Sequence, residues 1–144
     1  MTRLRCVVYV STATRLMSEE DLESLLRDAR AFNESVGITG ILLYNDGTFF
    51  QYFEGPEDAV ERVYERIRAS HAHKDLTELL RAAIPMRLFG LWTMGLTHPP
   101  ASQLLMFTNW KWRRDAERLE LSPPSPSEGL ELLRNFWATA QRAA

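Results

Sequence analysis

The run Phe49-Phe50-Gln51-Tyr52-Phe53-Glu54-Gly55 places one primary amide among aromatic side chains. In an extended strand Phe49, Gln51 and Phe53 share one face, and Phe50 and Tyr52 the other. An amide has two N–H donors and an acceptor oxygen, and burying it unpaired costs about 1–3 kcal/mol. Gln51 either satisfies itself on a backbone group or a core hydroxyl, or belongs to a polar site. Two residues are candidate neighbours: Tyr9, with Ser11 two positions on, and Asn33. Each also has a plainer explanation, Tyr9 as a core aromatic with its hydroxyl at the rim and Asn33 as a helix-end residue. Trp92 and Met94 are expected to share one face of the last strand, where simple core packing accounts for them.

Other chemistry is thinner. There is no glycine-rich phosphate loop and no nucleophile elbow. His71, His73, Asp75 and Cys6 do not complete a known metal spacing. Glu54 and Glu57 read as solvated acids at a helix start.

The elements that must position these groups follow from periodicity. Residues 4–10, LRCVVYV, form a strand. Ser18 caps a helix with Asp21 at its third position, Met17 staples onto Leu22, and Leu22, Leu25, Leu26, Ala29 and Phe32 or Asn33 form one face before Gly37. Strands over 38–44 and 48–54 flank Asn45-Asp46-Gly47, a hairpin signal. Pro56 opens a second helix with Val60, Val63, Tyr64, Ile67 and His71 on its apolar face. Two more strands are expected near 77–85 and 90–97.

The order β-α-β-β-α-β-β predicts an α+β, ferredoxin-like sheet with both long helices on one face. Several strands are apolar on both sides, so the other face needs a cover. Residues 101–115 and 128–142, rich in leucine, phenylalanine and tryptophan, supply it across a stiff linker at 122–129. The alternative is that these helices pack on a partner.

Composition sets outer bounds. The chain has 144 residues, 45% hydrophobic and 25% charged, which suits one soluble domain. A net charge of −2 argues against general nucleic-acid or membrane-surface binding, and no apolar run is long enough to span a bilayer. The single Cys6 cannot form a disulfide within the chain, and a reducing cytoplasm is the natural compartment. The N-terminus reads as a strand rather than a signal peptide.

Taken in order, Tyr9-x-Ser11, Asn33 followed by Gly37-Ile38-Thr39-Gly40, Phe50-Gln51-Tyr52-Phe53-Glu54-Gly55, and Arg87-x-Phe89-x-x-Trp92-x-Met94 resemble the BLUF family, blue-light sensors using FAD. The resemblance covers about residues 3–97. It implies a flavin-binding domain over 1–98 and a C-terminal helical extension over 99–144 packed on the sheet. It also implies a non-covalent FAD whose ring slots between the two helices. Tyr9 would bond Gln51, Gln51 would face the flavin N5 and O4, and Asn33 would hold the O4 and N3 edge. Arg66 would stand near the pyrimidine side, with Leu25 and Ile67 sandwiching the ring. On excitation such domains move an electron, coupled to a proton, from the tyrosine to the flavin. The glutamine then changes its hydrogen bonding and absorption moves to the red.

Phe32, Ala29 and Ser70 depart from residues found in some relatives, whereas His73 matches a histidine in several. With no catalytic output domain in the sequence, the resemblance implies a photoreceptor that is not an enzyme. It would signal through Trp92, Met94 and the C-terminal helices to an unidentified downstream protein. A homo-oligomer is expected from Trp110 and Trp112, more aromatic surface than a small cap needs. The competing expectations are a flavin-free ferredoxin-like regulatory module binding a metabolite or protein, and a small flavin reductase.

Overall fold

A computed structural model describes residues 3–115 and 127–143. Strands β1 (Leu4–Ala13), β2 (Thr39–Asn45), β3 (Thr48–Pro56), β4 (His73–Ala83) and β5 (Gly95–Thr97) form one sheet in the order β4-β1-β3-β2-β5. All pairings are antiparallel except β2 with β5. Helices α1 (Glu19–Val36) and α2 (Glu57–Ala69) follow β1 and β3, and α3 (Ala101–Thr108) and α4 (Glu128–Ala143) follow the sheet.

Local chemistry accounts for the boundaries. Ser18 and Asp21 exchange side-chain and backbone hydrogen bonds in a capping box at the start of α1. The β2–β3 turn uses Asp46 at φ 42° and Gly47 at φ 87°, the two left-handed residues that a tight hairpin of this twist demands. Pro56 stands one place before α2 and supplies the preset φ for the chain to turn into it.

The sheet is covered on both faces, as its doubly apolar strands require. On one side Val7, Tyr9, Leu42, Phe49 and Phe53 pack with Leu22, Leu26, Val60 and Val63 of α1 and α2. On the other, Val8, Leu43, Phe50 and Tyr52 pack with Leu104, Phe107, Trp112, Leu133 and Trp137. The C-terminal segment thus lies on its own sheet. The strand register sets Gln51 directly between Tyr9 on β1 and Leu42 on β2.

Several expectations need correction. The fourth strand begins earlier than expected, at His73, and the fifth shrinks to three residues, Gly95–Thr97, because residues 84–94 are spent on side-chain contacts. Trp92 and Met94 therefore precede β5 and do not share a strand face. Met94 is buried against Gln51, whereas Trp92 is 38% exposed and meets Trp137 edge-on at 5.2 Å. His71 lies past the end of α2 and is exposed, not on its apolar face. Glu54 is fully buried on β3 rather than solvated. Residues 122–126 of the expected linker lie outside the described residues. Among the described residues no helix is long and apolar enough to cross a membrane.

Candidate functional site

A cleft of about 230 Å³ opens between α1 and α2 above the middle of the sheet. Gln51, Leu42 and Met94 form part of its lining from the sheet side, Leu25, Asn33 and Phe32 from α1, and Arg66 and Ile67 from α2. Every cofactor-holding residue expected from the sequence reaches this cleft except Tyr9, which stands behind Gln51.

The polar groups form a chain. The Tyr9 hydroxyl donates to Gln51 Oε1, and Gln51 Nε2 donates to Met94 Sδ at 3.2 Å. Tyr9 has no exposed surface; Tyr64 stacks beside it at 6.3 Å, and Phe53 and His73 meet it edge-on at 6.4 and 6.0 Å. Burial, with Tyr64 adding to it, pushes the phenol far above its ordinary value, so Tyr9 keeps its hydroxyl proton. The weak sulfur acceptor leaves the Gln51 amide under-used inside the protein. Exchange of its donor and acceptor ends would turn an N–H toward Tyr9 and an oxygen toward a sulfur that cannot donate. The Met94 contact would then be lost while the packing stays nearly unchanged.

Asn33 Nδ2 donates to the Thr93 carbonyl at 2.8 Å, so its amide is oriented and its oxygen has no hydrogen bond among the described residues. Arg66 lies over the Phe32 ring at 4.3 Å, bridging the two helices at the cleft. His73 Nδ1 pairs with Ser11 Oγ at 2.9 Å, and burial holds its pKa below the ordinary value.

Sequence reasoning missed two groups. Arg30 Nε donates to the Met94 carbonyl at 2.9 Å; its position three before Asn33, on the same helix face, was the available signal. Glu54 accepts from Tyr52 Oη at 2.7 Å, Thr39 Oγ1 at 2.8 Å, and the amides of Leu88 and Phe89 at 2.7 and 2.8 Å. Alternation from Phe50 and Tyr52 already put that carboxylate on the covered face.

An amide at the floor with a phenol bonded behind it, aliphatic walls and an orienting asparagine are what a flat heterocycle with donor and acceptor edges requires. The chain matches the family of sensors of blue light using FAD, BLUF, over residues 4–95. This chain belongs to the BLUF family. The BLUF assignment decides for a flavin and against the flavin-free module. Among similar curated proteins, the photoactivated adenylate cyclase subunit beta of Euglena gracilis is 39% identical over 112 residues, covering 72% of this chain and 13% of that protein. The subunit alpha from the same organism is 44% identical over 88 residues, covering 61% and 9%. The chain therefore spans a small part of the curated relatives it matches. The dark-state structure of the BLUF protein BlrB aligns with a TM-score of 0.71 at 30% identity, covering 96% of this chain and 98% of that one. The photo-activated state of BlsA aligns at 0.69 and 27% identity, covering 92% of each. As a BLUF protein the chain is a blue-light sensor whose cofactor is FAD.

Proposed function

We propose that Tyr9 and Gln51 are the photoactive pair of this BLUF unit. Leu25, Asn33, Arg66 and Ile67 hold the flavin ring, and Met94 with Trp92 passes the change onward. The observation that carries this proposal is the hydrogen-bonded chain Tyr9–Gln51–Met94 beside the cleft. Bound FAD supplies blue-light absorption and, once excited, the pull for an electron. With FAD bound, Tyr9 would give an electron from its ring while its hydroxyl proton leaves along the bond to Gln51, and both would return to Tyr9 on recombination. Gln51 would be left with its donor and acceptor ends exchanged, Met94 without its amide partner, and the cleft with a changed hydrogen-bond edge. Leu25 and Ile67 exclude water, which keeps those hydrogen bonds strong.

The output passes to a downstream protein rather than to a reaction catalysed by this unit. The groups that meet Gln51, Tyr9 and Met94, form a donor–acceptor chain suited to relaying a change of hydrogen bonding. Relatives named as photoactivated adenylate cyclases pair such a unit with an effector, and a separate partner would serve the same purpose here. A reducing cytoplasm suits the buried thiol of Cys6, which burial pushes up to about 12. A homo-oligomer belongs to the proposal, although its first motive has gone: Trp112 is buried on the sheet and Trp110 bonds Asp115. Leu105, 60% exposed on α3, and Leu132 on α4 now support it.

Absorption spectra of the FAD-reconstituted protein before and after blue light test the proposal. Flavin bands with a reversible red shift are expected, and Tyr9→Phe should bind FAD without the shift. A normal photocycle in Tyr9→Phe would refute the assigned donor.

A further inference from the structure

Residues 84–94 cross from β4 to β5 in turns and bends, yet are held at both ends. At the first end the Leu88 and Phe89 amides donate to Glu54, and Arg87 reaches Thr39 Oγ1 at 3.0 Å and the Gly37 carbonyl at 2.8 Å. At the second, α1 takes two consecutive carbonyls: Asn33 Nδ2 bonds Thr93 and Arg30 Nε bonds Met94. Asn33 belongs to the cleft already described, but Arg30 stands outside its lining.

The thioether of Met94 is a soft, flexible side chain and a weak acceptor. Its contact with Gln51 cannot by itself fix where the backbone lies. A guanidinium donating to a carbonyl is a charge-assisted bond, stronger than N–H to sulfur. A surface arginine ordinarily extends into solvent, whereas Arg30 is half-buried and ends on the backbone of the residue that touches the switch.

We infer that Arg30 is a positioning residue of the light switch: it fixes the Met94 backbone so that Met94 Sδ receives the Gln51 amide in the dark. The inference rests on Gln51 being the switch. When Gln51 exchanges its ends, Arg30 keeps the Met94 backbone seated, and the dark arrangement re-forms without rebuilding the segment. Without Arg30, Met94 leaves its seat more readily and returns more slowly.

The test compares the parent with Arg30→Ala and Arg30→Lys, labelled with ¹³C in the methionine methyl groups, with and without FAD. Met94 is one of five methionines, so its methyl resonance is assigned by its loss in Met94→Leu. In Arg30→Ala the Met94 methyl signal should shift or broaden with the other four unmoved, and dark recovery should slow about three- to tenfold, less than a fully buried charged donor would give because Arg30 is part-exposed. Arg30→Lys, which keeps the charge and a donor, should lie between Arg30→Ala and the parent. Arg30 is half-exposed and alanine favours helix, so the fold should survive. An unmoved Met94 methyl in Arg30→Ala overturns the inference. A parent that shows no light-induced red shift overturns the photoreceptor mechanism instead, and the methyl signal of the flavin-free chain still decides the role of Arg30.

Discussion

Tyr9 and His73 lie together beside the cleft, and burial acts on both in ways that pH can test. Burial raises the Tyr9 phenol, so its hydroxyl stays in place as the donor to Gln51. Dark absorption of the FAD-loaded protein should therefore remain constant as pH rises through 10.0, the ordinary phenol value. A titration of the flavin bands near that value would contradict this. His73 shifts the other way, its pKa lowered from 6.5 by burial. Between the folded value and 6.5 the unfolded chain binds the extra proton, so stability is present above 6.5 and falls as pH drops below it. Urea unfolding at stepped pH should show that slope in the parent and a shallower one in His73→Gln.

At the scale of elements, β3 carries the proposed switch on one face and a clamp on the other. Gln51 faces α1 and α2, whereas Glu54, three positions on, ties down the segment that leads to Met94. Replacing Glu54 with alanine strands two backbone amides and two hydroxyls. Urea unfolding should show a loss of about 2–4 kcal/mol, since an orphaned buried donor costs about 1–3 kcal/mol and some regain water. The junction of β5 with α4 is equally tight: a Cβ at Gly95 would overlap the Trp137 ring. Gly95→Ala should cost about 1–3 kcal/mol by overpacking and should raise the light-independent exposure of Trp137, read by fluorescence quenching.

For the whole molecule, the sheet works only with both faces covered. Val8, Leu43, Phe50 and Tyr52 lie under the C-terminal helices with no exposed surface, and α4 is fastened by Ser127 and Gly129 to Asp115 at 2.9 and 3.0 Å. A chain cut after residue 98 should expose that face and aggregate or lose cooperative unfolding, as seen by size exclusion and circular dichroism. The same helices carry Leu105 and Leu132 outward. Light scattering of the full chain should find a dimer or larger assembly, and Leu105→Lys should shift it toward monomer. A strict monomer in dark and light would remove the oligomer from the proposal.

The sequence by itself determined the element order, the hairpin, the α1 cap and the face on which Gln51 lies. Those follow from local propensity and from side-chain periods of 2 and 3.6 residues, which need no knowledge of distant contacts. The motif order also carried the BLUF family and hence the FAD. Only the tertiary structure decided that Met94, rather than Trp92, reaches Gln51, that Arg30 ends on the Met94 carbonyl, and that Glu54 is a buried anchor. Residues 84–94 lack a period because their path is set by single hydrogen bonds to α1, β2 and β3. Such contacts join positions far apart in the chain, and no local pattern records them.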